Sequence, residues 1–117
     1  MHNFRNLKIW QKSRIIVKEV FLITRELPSE EKFGLVSQIL RSAYSIPSNI
    51  AEGSGRDSKK EFARFLDIAL GSAFELETQL ILAFDIEYLS EEQLDYVQKL
   101  LQEVQKMIYS FKKNLLN

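Results

Sequence analysis

Residues Ser45–Arg56 read SIPSNIAEGSGR, a proline, an asparagine, a glutamate and two glycines set inside a chain otherwise patterned as helix. How this stretch is read sets the architecture. A proline in a helix interior removes the hydrogen bond to the residue four earlier and crowds its carbonyl, here that of Ala43, so the helix either ends near Ser45 or kinks. The apolar stripe Leu35, Ile39, Ala43, Ile46 and Ile50 keeps its register across Pro47. Small residues around it (Ser42, Ala43, Ser45, Ser48) leave room for the freed backbone groups to find other partners. The expectation is therefore a helix kinked at Pro47, with Gly53 and Gly55 stopping it as residues that take positive φ at low cost. Asn49 and Glu52, polar beside a buried stripe, are expected to hydrogen-bond this backbone or a neighbouring helix.

Upstream, Ser29 can cap this second helix, with Glu30 and Glu31 near the positive end of its dipole. Before it, Ile9, Trp10, Ile16, Val17, Val20, Phe21, Ile23 and Leu27 share one arc, and Leu27-Pro28 marks the stop of a first helix over roughly 5–27. After it, Ser58-Lys59-Lys60-Glu61 has the pattern of a capping box. It opens a long third helix, about 58–87, striped by Phe62, Phe65, Leu66, Ala69, Ala73, Leu76, Leu80 and Ala83. Ser90-Glu91-Glu92-Gln93 is a second box, followed by Leu94, Val97, Leu101, Val104, Ile108, Phe111 and Leu115 at alternating spacings of three and four. Short connections force neighbours to run antiparallel, so the expected fold is all-α, a single up-down-up-down four-helix bundle over residues 1–117. The third helix also carries a second apolar row, Leu70, Phe74, Ile81 and Phe84, which implies cover by a partner subunit.

Composition narrows the chemistry. The chain has 117 residues, no cysteine and one histidine. Disulfide frameworks and thiolate metal sites are excluded, and the cytoplasm is the default compartment. No apolar run approaches the roughly 20 residues of a membrane span. Carboxylate-bridged metal bundles need Glu-x-x-His pairs on facing helices, whereas His2 stands alone near the start. Ser/His and Cys/His nucleophiles fail for the same shortage. Gly53-Ser54-Gly55-Arg56 lacks the lysine and hydroxyl of a phosphate-binding Walker loop. Glu52, Glu75 and Glu77 read as ordinary helix carboxylates. The expectation is a protein that is not an enzyme, with no cofactor and no metal.

Charge is the remaining signal. Residues 1–64 hold 12 Lys/Arg against 7 Asp/Glu, and residues 65–117 hold 4 against 9, so a chain of zero net charge is polarised along its length. Arg5, Lys8, Lys12, Arg14 and Lys18 all precede the first acid, giving the first helix a positive surface able to meet phosphates. Arg56, Lys59 and Lys60 surround the N-terminus of the third helix, where free backbone N–H groups favour an anion. Read as structure alone, the same bases are a solvated face and the glycines a helix stop. Trp10, on the apolar arc, reads as core rather than a stacking platform.

FRNLKIWQKS, then SIPSNIAEG with GSGR, then GS-x-x-ELETQL, resemble the four-helix-bundle family of proteins encoded in intervening sequences of large-subunit ribosomal RNA genes. That family includes the accessory variability determinant of diversity-generating retroelements. The resemblance covers nearly the whole chain. It implies a ring-shaped homopentamer and, for the retroelement members, a basic surface that binds RNA or DNA and association with a reverse transcriptase. Arg41 belongs to the same basic pattern. Ser42 stands where the family usually has a second arginine, and Leu70 where it usually has an arginine before Gly71-Ser72; both differences remove positive charge. Two functions of different class follow: an accessory nucleic-acid-binding oligomer, or a scaffolding oligomer whose partner is another protein.

Overall fold

The apolar stripes become the inner lines of four helices. The computed structural model describes residues 2–117. Helices α1 (Lys8–Thr24), α2 (Leu35–Ser54), α3 (Lys59–Asp85) and α4 (Glu91–Leu116) are joined by short connections, with 3-10 turns at Phe4–Asn6 and Ser29–Glu31. Contacts between elements set their directions. The His2 N–H reaches the Ser54 carbonyl at 3.0 Å, which places the start of the chain beside the end of α2. Lys112 meets Asp67 at 2.7 Å, which places the end of α4 beside the start of α3. Gln93 meets Glu26 at 3.4 Å at the opposite end. The helices therefore run up, down, up and down in a body of 43 × 24 × 19 Å.

The core is what the periodicity describes. Ile16, Val20, Ile39, Ile46, Ile50, Leu66, Leu76, Leu80, Val97, Leu101, Val104 and Ile108 are all buried in one cluster. Burying each such side chain contributes about 1.5–3 kcal/mol, so the inner lines outweigh any single cap or turn. Of the second row on α3, Leu70, Ile81 and Phe84 are half-buried against this same core. Only Phe74 stays largely wet, at 52% exposure. The intramolecular core thus covers more of α3 than its inner stripe alone.

The helix ends differ from expectation in two places. Ser29 caps no α-helix: Ser29–Glu31 is a separate 3-10 turn, and α2 begins only at Leu35, after Gly34, without a side-chain cap. A glycine within the first turns weakens helix by about 1 kcal/mol, enough to split the segment once Leu27 is anchored in the core. As expected, α2 continues through Pro47, to Ser54. Second, Gly55 has φ −90° and ψ 0°, and no glycine among the described residues has positive φ. Gly53 lies inside the helix, buried, and a Cβ there would sit 2.6 Å from the Phe65 Cβ and 2.9 Å from the Phe62 ring. Its role is close approach of α2 to α3.

Among the described residues the left-handed one is Glu87, at φ 68°. Its N–H bonds the Phe84 carbonyl at 2.9 Å and the Tyr88 N–H bonds the Ala83 carbonyl at 2.9 Å, the paired closure of a Schellman turn. At the start of α3, Ser58 Oγ accepts the Glu61 N–H at 3.0 Å, but the Glu61 side chain turns to Arg64, so only half of that box forms. The Ser90 and Gln93 box is complete.

Candidate nucleic-acid interface

Polar groups between the helices are mostly engaged with one another. On the α2–α3 seam, Asn49 Nδ2 donates to the Ser45 carbonyl at 2.8 Å and to Ser45 Oγ at 2.9 Å, and Ser45 Oγ meets Ser72 Oγ at 2.7 Å. Ser42 donates to Glu75 one turn away. Asn49 thus bonds the backbone of its own helix across Pro47, and Ser45 carries the link to α3. On the α3–α4 seam, Glu77 accepts amide N–H groups from Gln98 and Gln105 at 2.9 Å each and from Gln102 at 3.3 Å. Partial burial pushes the Glu77 carboxyl up, yet the three amides together outweigh it and hold the group below its ordinary value. A carboxylate held ionised by three amides is a structural pin and a poor proton donor. Among the described residues no group of three or more His, Cys, Asp or Glu side chains is placed to hold a metal.

The bases fall into two sets. Arg5, Lys8, Arg56, Lys59 and Lys60 lie at one end of the bundle, because the start of α1 and the α2–α3 turn meet there. Arg14 and Lys18 lie on the solvent side of α1, where they share with Gln11 and Ile15 an open cleft of about 340 Å3. Arg41 lies on the exposed side of α2. Two of the candidates have acidic partners: Lys12 pairs with Glu103 at 2.6 Å and Arg56 with Glu52 at 3.0 Å. Exposed pairs of this kind are worth about 0–1 kcal/mol, and a phosphate can compete for either cation. Glu52 therefore partners Arg56 and not the Pro47 backbone.

Folding adds cations that the linear sequence does not associate with this surface. With each helix divided at its middle, the end formed by residues 2–16, 45–72 and 104–117 holds 11 Lys/Arg and 4 Asp/Glu. The opposite end holds 5 and 12. Lys106, Lys112 and Lys113 belong to the basic end although they lie in the acidic half of the sequence. Only the antiparallel return of α4 brings them there. Arg64 joins them, and with Arg56 it flanks the buried Phe65 ring at 4.6 and 4.7 Å. Trp10 is half-buried on the core, with Phe4 edge-on at 5.0 Å and the Arg14 guanidinium 5.5 Å from its ring.

A family model described as 23S rRNA-intervening sequence protein matches residues 5–110. The chain belongs to this family. Its fold is shared by a solved protein of unknown function from the S23 ribosomal protein family of Bacteroides thetaiotaomicron. That protein is 33% identical, with a TM-score of 0.84 over 90% of this chain and 98% of the other. No curated protein sequence matches significantly. The function of that solved relative is itself described as unknown. Among the described residues no helix is long and apolar enough to cross a membrane.

Proposed function

We propose that this member of the intervening-sequence protein family is a non-catalytic, self-associating bundle that binds the nucleic-acid backbone through its basic end. The observation that carries the reading is the gathering of 11 Lys/Arg against 4 Asp/Glu at one end of a chain with no net charge. Such a field attracts phosphates at long range, whereas the net charge alone would give no attraction. Arg5, Lys8, Lys59 and Lys60 are exposed, and Arg14 and Lys18 extend the same surface along α1. These groups recognise phosphate rather than base sequence, so binding is non-specific and steeply reduced by salt.

Self-association, to the homopentamer that the resemblance implies, is supported by a groove of about 500 Å3 between α3 and α4. Phe74, 52% exposed, and Tyr109, 60% exposed, line it beside Leu70. The same groove favours the second reading, a scaffold whose partner is protein alone. Fluorescence anisotropy with labelled RNA and DNA at about 50 mM salt separates the two. Replacing Arg5, Lys8, Lys59 and Lys60 by alanine should flatten the log–log salt slope by about 0.7–0.9 per lost phosphate contact. Absence of binding by a folded oligomer, its mass fixed by light scattering, would leave the scaffold as the function.

A further inference from the structure

We propose that the α1–α2 face takes single-stranded nucleic acid, with an unstacked base seated in the groove between Phe33 and Tyr44. This rests on the nucleic-acid reading above but extends it to the other end of the bundle, where Lys18, Arg25, Lys32 and Arg41 lie on α1, α2 and the connection between them, and eight of the 12 Asp/Glu of that end lie on α3, α4 and their turn. The groove, about 570 Å3, is lined by Lys32, Phe33, Val36, Leu40, Arg41 and Tyr44 among others. Phe33 is 90% exposed and Tyr44 46% exposed, so the ring of Phe33 in particular is open to a second flat ring. Lys32 Nζ lies 5.5 Å from the Phe33 ring, and among the described residues neither Lys32 nor Arg41 makes an ion pair. Of the two carboxylates between Pro28 and Tyr44, Glu31 is committed to the Tyr88 hydroxyl at 2.9 Å, and Glu30 is exposed.

The same alternation of cation and ring continues along α1. Arg25 lies 5.7 Å from the half-exposed Phe21 ring, and Lys18 and Arg14 follow toward the basic end. A polymer that carries a flat π face and a phosphate at every unit matches that alternation. An apolar protein segment does not, because it would desolvate Lys32 and Arg41 without supplying a counter-charge. A duplex does not either, since its base faces are already stacked on one another and only its phosphates are available.

The test is anisotropy with labelled oligouridylate and with a blunt RNA duplex of equal length, using the full chain and the Phe33→Ala, Tyr44→Ala and Phe33→Trp variants. Loss of the Phe33 ring should weaken oligouridylate binding about 5- to 100-fold without changing the salt slope, leave duplex binding unchanged, and be rescued by Phe33→Trp. Thermal melts of Phe33→Ala should match the parent, as the side chain is exposed. Equal weakening of both polymers, or none, overturns the stacking groove while leaving backbone binding at the basic end intact. A fall in oligomer mass on Phe33→Ala assigns the surface to a second copy and overturns it too. If the parent binds neither polymer, the nucleic-acid function fails with it.

Discussion

The exits of α2 and α3 invert what their residues suggest. The α2 exit carries two glycines within three residues and uses no left-handed backbone. The α3 exit has no glycine, and Glu87 holds the left-handed position that closes a Schellman turn. Glycine has two uses, freedom of φ and absence of a Cβ, and a sequence does not say which one a site needs. At Gly53 the need is steric, because Phe62 and Phe65 of α3 occupy the space a side chain would take. At Glu87 the left-handed strain is offset by the two backbone hydrogen bonds it makes possible and by the burial of Leu89 just beyond.

The sharpest way to break this contrast is Gly53→Ala. The nearest obstacle is the Cβ of Phe65, which cannot swing aside, so the helices must part and the variant should lose about 2–3 kcal/mol in urea unfolding. A melt equal to the parent would mean that α2 and α3 do not approach this closely. Next in size, Glu87→Gly should stabilise the bundle by about 1 kcal/mol by relieving a left-handed non-glycine residue. A loss of stability instead would show that the Glu87 side chain contributes something its exposed position does not suggest. Smallest is Gly55→Ala. Its backbone is right-handed and a Cβ would meet only the Glu52 carbonyl, at an ordinary 3.6 Å. Denaturant titration should show a gain of about 0.4–1 kcal/mol, from reduced freedom of the unfolded chain. If Gly55→Ala were as damaging as Gly53→Ala, the two glycines would share one role and the contrast would collapse.

The candidate interface was partly legible in the same way. Arg5, Lys8, Arg14 and Lys18 stand out because they precede any acid, and they remain exposed in the fold. Lys12 does not differ from them in sequence, yet Glu103, ninety-one positions later, pairs with it. Lys106, Lys112 and Lys113 carried no signal, being bases in an acid-rich half. Phe33, in a connection read as the opening of a helix, gave none either: Val36, Leu40 and Tyr44 follow it at helical spacing, but the stripe Leu35, Ile39, Ala43 and Ile46 beside them is the one that marks the buried face.

Four helices, their antiparallel order, their buried lines and the caps at Ser58 and Ser90 are legible in the linear chain. These depend on periodicity and on hydrogen bonds between residues at most a few positions apart. Packing between distant segments is what makes Gly53 serve contact rather than turning, rests three of the four residues in the second row of α3 on the chain's own core, and sorts charge by bundle end. Each of these depends on which distant segments become neighbours. An antiparallel bundle sets the first helix beside the last, so a polarity spread along the chain is refolded into a different one in space.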